Sequence, residues 1–216
     1  MMPADTPGQP RPDSGGSRLA SAGRSRLASA GRPRLASADV PGLTSADSPG
    51  NGWGTPRPKS VSWYPPHVTA SAGAALSGLE FIKAMADGLV APPPIALLLN
   101  MWPTKVERGL VVFECAPDES VYNPIGVVHG GLVCTLADSV AGCAVHTTLE
   151  AGVGYTSIDI TVNYLRPVTL GSGTLVATGR VTKPGRRIAM AAAEVHDGAG
   201  RLVATATSNC LIMPVT

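Results

Sequence analysis

With 216 residues, 44% of them hydrophobic but only 4% aromatic, the chain has material for one domain whose core must be aliphatic and Ala-rich. A formal net charge of +2 on 15% charged residues excludes a strongly electrostatic partner for the chain as a whole, so neither nucleic acid nor a membrane surface is expected. No stretch approaches the ~20 apolar residues of a membrane span. No apolar segment follows the N-terminus, so a secretory signal is not expected. The four cysteines (Cys115, Cys134, Cys143, Cys210) show no CxxC spacing and read as reduced thiols, which points to a cytoplasmic protein.

Residues 1–60 hold nine Pro, nine Gly and nine Ser, yet only seven of Val, Ile, Leu, Met or Phe. Such a segment cannot bury enough apolar surface to offset its ordering entropy. It repeats with a period of eight over residues 17–24, 25–32 and 33–39, with a decayed copy over 41–48. Solenoid repeats run to ~20 residues or more, so a disordered low-complexity tail is expected over 1–60 and a folded domain over 61–216. The tail carries eight basic and four acidic residues. An anionic-surface tether or a transit peptide would use that charge, but the acids interrupt it and Pro and Gly prevent an amphipathic helix. A solvated extension is expected instead.

In the folded part, Leu76, Leu79, Ile82 and Met85 recur at helical spacing, and Pro92 to Pro94 stop that helix near residue 88. Residues 95–106 and 110–116 read as two extended pieces turning at Gly109. From His129 to Thr148, Leu132, Leu136, Val140 and Cys143 repeat at three and four residues, while Gly and Ala fill the other sides; this is a buried helix. Four strands follow, over 155–165, 174–182, 187–196 and 201–213, joined by Pro/Gly turns as an antiparallel meander. In the first, Ile158, Ile160, Val162 and Tyr164 alternate with polar residues. The order predicts an α+β fold, one long central helix wrapped by an antiparallel sheet.

Chemistry concentrates where the central helix begins, at Asn123-Pro-Ile-Gly-Val-Val-His129-Gly130-Gly131, with Asp138 seven residues beyond. Gly130 and Gly131 sit at the helix start, where N–H groups lack intrahelical partners and carry the positive end of the dipole. Having no side chains, they let a ligand carbonyl approach closely, as an oxyanion hole requires; tight packing of the helix start is the other reading. Asp138 is a carboxylate among Leu136, Ala137, Val140 and Ala141 and needs a reason to exist there. A backbone N–H or an Arg such as Arg166 would satisfy it, or it is catalytic.

This constellation, together with Tyr155-Thr-Ser-Ile-Asp-Ile-Thr-Val-Asn-Tyr-Leu-Arg-Pro167, resembles the hotdog-fold acyl-CoA thioesterases of the phenylacetate-pathway (PaaI) type. The likeness spans roughly residues 76–213. It implies hydrolysis of an acyl-CoA thioester, with Asp138 as general base on water or as nucleophile forming an anhydride. It further implies that Asn123 and His129 help hold the water, the thioester or the loop; an Asx turn before Pro124 and a helix cap are their structural alternatives. Ser157 aligns with the family's strand hydroxyl that orients water beside the carboxylate, and Thr156, on the opposite face, is its rival. Coenzyme A would bring phosphates to Arg166, Lys183, Arg186 and Arg187, unless these are a solvated turn. Tyr122, Trp102 and Phe81 are candidates for the acyl pocket or for packing.

Asp138 lies ~12 Å beyond Gly130 on the same helix, so one carbonyl cannot touch both in one chain. Two such helices antiparallel across a twofold axis would bring them together, which predicts a homodimer with shared sites, or a dimer of dimers. No metal or redox cofactor is expected, since His67, His129, His146 and His196 are scattered and no dinucleotide fingerprint or P-loop occurs. There is no GxSxG elbow, and the Asp-x-Asn-x-x-His motif of hotdog hydratases is lacking. A non-catalytic acyl-CoA sensor with the same pocket is the alternative, although residues 1–75 show no helical periodicity for a DNA-binding helix pair.

Overall fold

The computed structural model describes residues 55–214; most of the low-complexity segment expected over 1–60 lies outside the described residues. At the centre is α4 (Gly130–His146), packed on a six-stranded sheet in which every neighbouring pair is antiparallel. The strands are β1 (Met101–Glu107), β2 (Leu110–Cys115), β3 (Val153–Tyr164), β4 (Leu175–Lys183), β5 (Ile188–His196) and β6 (Leu202–Pro214), in the spatial order β1-β2-β4-β5-β6-β3. This is the hotdog arrangement, with Leu136, Ala137, Val140, Ala141, Ala144 and Val145 of α4 fully buried. The facing strands offer Ala177, Ala189, Ala191 and Ala193, so the Ala-rich composition is what lets helix and sheet approach. Gly179 of β4 marks the closest approach: a Cβ there would lie 2.1 Å from the Val140 carbonyl oxygen.

Three further helices precede the sheet. The capping box Ser77–Glu80 starts α2 (Gly78–Ala86). Gly78 docks it on the end of α4, donating its N–H to Leu149 O at 3.0 Å; a Cβ there would be 1.8 Å from the His146 carbonyl oxygen. The other two, α1 (Pro66–Gly73) and α3 (Pro94–Leu99), each begin with a Pro in the first turn. Both correct the sequence reading, in which residues before 76 lacked helical periodicity and 95–106 was one extended piece. The run Ile95-Ala-Leu-Leu-Leu99 is too uniformly apolar for periodicity to separate helix from strand. Asn100, left-handed at φ 54°, ends α3 and turns the chain into β1.

The meander is confined to β4, β5 and β6. The strand expected beside it, β3, lies at the far edge of the sheet, paired only with β6. Its alternation is also broken. A bulge between Ser157 and Asp159 turns Ile158 outward, so Tyr155 and Ser157 share the α4-facing side with Ile160 and Val162. The two edges differ. The β1 edge is short, with Pro103, a bulge and a Lys105–Glu107 ion pair at 3.0 Å. The 12-residue β3 edge has a bulge but no Pro and no ion pair among the described residues, and Ile158, Tyr164 and the following Leu165 are each at least half exposed. Among the described residues no helix is long and apolar enough to cross a membrane.

Candidate active site

The loop before α4 is organised by Asn123. Its side-chain Oδ1 accepts the N–H groups of Ile125 (3.1 Å) and Val127 (3.3 Å), and its own backbone N–H donates to Val127 O at 2.8 Å. This is the Asx turn, and the side-chain NH2 has no partner among the described residues. The loop delivers His129 as the N-cap of α4, and the imidazole Nδ1 accepts the Gly131 N–H at 2.8 Å. That contact corrects the expectation of two open amides: Gly131 is occupied by the cap. Gly130, first residue of the helix, keeps an N–H with no partner among the described residues. Its carbonyl oxygen accepts the Tyr164 hydroxyl at 3.0 Å. The Gly130–Gly131 peptide is thus held at both ends, by Tyr164 and by His129, and the amide just before it stands at the positive end of the helix.

Further along α4, Asp138 Oδ1 accepts the Ser157 hydroxyl at 2.8 Å. The bulge in β3 separates the two rival hydroxyls: Ser157 meets the carboxylate, whereas Thr156 is exposed on the other side of the strand. Arg166 does not satisfy Asp138; its guanidinium donates to the Leu202 carbonyl oxygen instead. Other ionisable groups near Asp138 are kept protonated. Burial, then the Asp138 charge, pushes the Cys143 thiol up to about 12. Burial also raises Cys210, and raises Tyr155 well above the ordinary phenol value. At neutral pH these two thiols are poor nucleophiles.

Beside Asp138 opens a cavity of about 450 Å³, roofed by α2, α3 and β1 and lined by Phe81, Ile82, Met85, Met101 and Trp102. Phe81 and Trp102 therefore line a cavity that reaches Asp138. Tyr122 does not: its hydroxyl accepts the Leu170 N–H at 2.8 Å, and its ring faces the space beside His129 and Gly131. The basic residues divide. Lys183, Arg186 and Arg187 are exposed around the β4–β5 turn, near Leu211 of β6, whereas the Arg166 backbone joins Val203. Eight residues of strand, ~27 Å, part the two groups, so these four residues form no single cluster in one chain. Arg166 instead lines a small cavity of about 290 Å³ with Gly130 and Tyr164. Tyr164 is the site residue that sequence reasoning missed. Its alternation with Ile160 and Val162 marked its face, but nothing in the sequence pairs it with a glycine 34 residues earlier.

The thioesterase superfamily family model matches residues 125–204, a span that takes in Gly130, Asp138 and Ser157. Human acyl-coenzyme A thioesterase 13 is 35% identical over 97 residues, which are 44% of this chain and 68% of that protein. Among solved structures, the phenylacetic acid degradation-related protein of Ralstonia eutropha is 28% identical, with a TM-score of 0.56, 60% of this chain and 98% of that one being covered. The E. coli PaaI protein of the phenylacetic acid degradation operon has a TM-score of 0.57 at 22% identity, with coverage of 65% and 98%, and so shares the fold. A Ser-held carboxylate, a helix-start amide left open and an apolar cavity beside them, in a chain with these relatives, place it in the thioesterase superfamily as a thioester hydrolase with the PaaI-type hotdog fold.

Proposed function

We propose that the chain hydrolyses an acyl-CoA thioester to the free acid and coenzyme A, at a site shared between two subunits. One observation carries this reading: the open Gly130 amide and the Ser157-bound Asp138 carboxylate lie on one helix, eight residues and ~12 Å apart. A thioester carbon and its oxygen span far less. The long β3 edge, with Ile158, Tyr164 and the following Leu165 exposed, supports a twofold pairing of β3 with its copy, which reverses one α4 against the other. The Gly130 amide of one subunit then faces the partner's Asp138.

In this reading the thioester carbonyl oxygen accepts the Gly130 N–H, which stabilises the oxyanion as the carbonyl is attacked. The partner's Asp138 either takes a proton from water as that water attacks, or attacks the carbon itself to give an anhydride that water opens. Either way the C–S bond breaks, the coenzyme A thiolate leaves and is protonated, and the acid remains. Ser157 fixes the carboxylate, and the free side-chain NH2 of Asn123 is placed to hold water or thioester. His129 acts through the cap. Water is the only co-reactant, so the reading calls for no metal or redox cofactor.

The same pairing gives the basic residues a role. Reversing one β3 against the other carries Arg166 toward the end of the sheet that holds the partner's Lys183, Arg186 and Arg187, so groups parted in one chain adjoin across two. Coenzyme A phosphates are the anion they suit. Thr156 borders that end. Four free cysteines, Cys115, Cys134, Cys143 and Cys210, support a reducing, cytoplasmic setting. The test is release of coenzyme A from an acyl-CoA panel, followed with a thiol reagent, for wild type and Asp138→Asn. The variant should lose ~10²–10⁴-fold; wild-type turnover by a correctly assembled variant overturns the assignment, and acyl-CoA binding without hydrolysis by wild type overturns the activity.

A further inference from the structure

Cavity floor and end wall are both supplied by a few residues. Asp138, Ser139, Cys143 and His146 of α4 lie along the floor of the 450 Å³ cavity. Asp138 and His146 are eight residues apart, so the floor runs ~12 Å from the carboxylate to the imidazole. At the far end stand Phe81, His146 and Tyr155. The Phe81 and His146 rings meet edge-on at 5.7 Å between centroids, and His146 and Tyr155 at 5.5 Å. Behind them is a second cavity of about 220 Å³, under α1 and beside Gly152 to Gly154, and the same three side chains line it. They are a partition between two hollow spaces. Phe81 is backed by α1, since a Cβ on Gly73 would lie 3.0 Å from its ring. Burial lowers the His146 pKa, so the wall presents no charge at neutral pH.

We infer that this aromatic partition is the length gauge of the acyl site, and that it makes the protein selective for medium-length linear acyl groups of about 8–10 carbons. The inference rests on the acyl-CoA reading above. An extended alkyl chain of ~1.5 Å bonds at tetrahedral angles advances ~1.25 Å per carbon, so ~12 Å holds about ten carbons. Volume agrees: at roughly the ~30 Å³ that a water-sized group occupies, ten carbons need ~300 Å³ and fit the first cavity. Sixteen carbons need ~480 Å³ and ~20 Å by the same arithmetic, which exceeds the first cavity in length and volume. They fit the two cavities together. Phe81 comes from α2, His146 from α4 and Tyr155 from β3, so the wall can be truncated from separate elements.

The test compares kcat/KM for saturated acyl-CoAs from four to sixteen carbons, below their micelle concentrations, in wild type, Phe81→Ala and His146→Ala. Binding of non-hydrolysable alkyl-CoA thioethers of the same lengths is measured alongside. Wild type should peak at eight to ten carbons and fall roughly tenfold or more by sixteen. Each variant that folds, judged by its thermal transition, should raise the sixteen-to-ten ratio at least about tenfold, since either opens the rear cavity. Hydrolysis by wild type with a flat profile, or a ratio unmoved in both folded variants, overturns the gauge and leaves the activity standing. Thioether binding with the stated length profile but no hydrolysis of any acyl-CoA does the reverse.

Discussion

A shared site makes a quantitative demand on mixtures of two inactive chains. Gly130→Pro removes the open amide, and its Cβ presses on the Tyr164 ring. Gly130 is the first residue of α4, where Pro is accepted, and His129 at φ −62°, ψ 133° already has the backbone that precedes a Pro. A Cβ there would lie about 3.1 Å from the Tyr164 ring, whose hydroxyl donates to the Gly130 carbonyl oxygen, so the ring must give by a few tenths of an ångström. Gly130→Ala places a Cβ at the same spot but keeps the N–H, and so serves as the control. Loss of one oxyanion donor costs ~10²–10³-fold in kcat, and Asp138→Asn loses ~10²–10⁴-fold. In a mixed dimer, one site has the intact amide of the Asp138→Asn chain and the intact carboxylate of the Gly130→Pro chain; the other site has neither. Random exchange makes about half the dimers mixed, each with one good site of two, so activity should return to about a quarter of wild type. Differently tagged chains, co-purified as the mixed dimer, should reach about half. The measurement is thiol release from acyl-CoA before and after subunit exchange. If mixed dimers form and the rate stays at the ~1% or less of the parent variants, each chain holds its own complete site and the shared geometry is wrong.

Three other outcomes follow from contacts already described. Tyr164→Phe frees the Gly130 carbonyl oxygen and lets the helix-start peptide tilt; kcat should fall roughly tenfold, on the ~1.4 kcal/mol scale of one hydrogen bond, with KM moving much less. Gly179→Ala sets a Cβ 2.1 Å from the Val140 carbonyl oxygen, which neither backbone can avoid, so denaturant unfolding should show a loss of about 1–3 kcal/mol or more. His146 faces the Phe81 and Tyr155 rings, and burial holds its pKa below the ordinary 6.5. The unfolded chain therefore binds the proton first: stability is full above about pH 6.5 and declines as pH falls below it. Thermal unfolding from pH 7 to pH 5 should show that slope, and His146→Phe should flatten it.

Local physics wrote the central helix and most strands plainly into the sequence. Leu132, Leu136 and Val140 with their small neighbours can only be a buried helix, and Pro/Gly turns bound β4, β5 and β6. What stayed hidden was set by distant partners. The position of β3 at the far edge is a pairing with β6, and no residue of β3 states it. The bulge at Ile158 is likewise imposed by register against Cys210 and Asn209, and it decides that Ser157 and not Thr156 reaches Asp138. Residues 95–99 misled because five apolar residues in a row satisfy a strand and a helix equally; only Pro94 carried the helix-start signal. Gly131 misled for a subtler reason. Its amide was correctly placed at the positive end of the helix, but the imidazole two residues earlier competes for it at 2.8 Å.

In the proposed reading, that competition is what gives the helix start its direction as an electrophilic centre. An α-helix begins with several unpartnered N–H groups, and a substrate carbonyl offered to all of them would bind without a defined direction. Here the cap removes Gly131, Tyr164 pins the carbonyl beyond Gly130, and the one amide left has a fixed aim. The acid on the same helix cannot follow that aim, because each residue adds ~1.5 Å along the axis and Asp138 is held at its own station by Ser157. A carboxylate nearer the helix start would sit beside the amide it must act across and spend its charge on the dipole. Separation along the helix keeps donor and acid apart in a single chain, and reversal of a second chain is the simplest operation that returns them to one substrate. In the proposed reading pairing along β3 is part of the chemistry, and a change that splits the pair should abolish turnover while leaving each subunit's core intact.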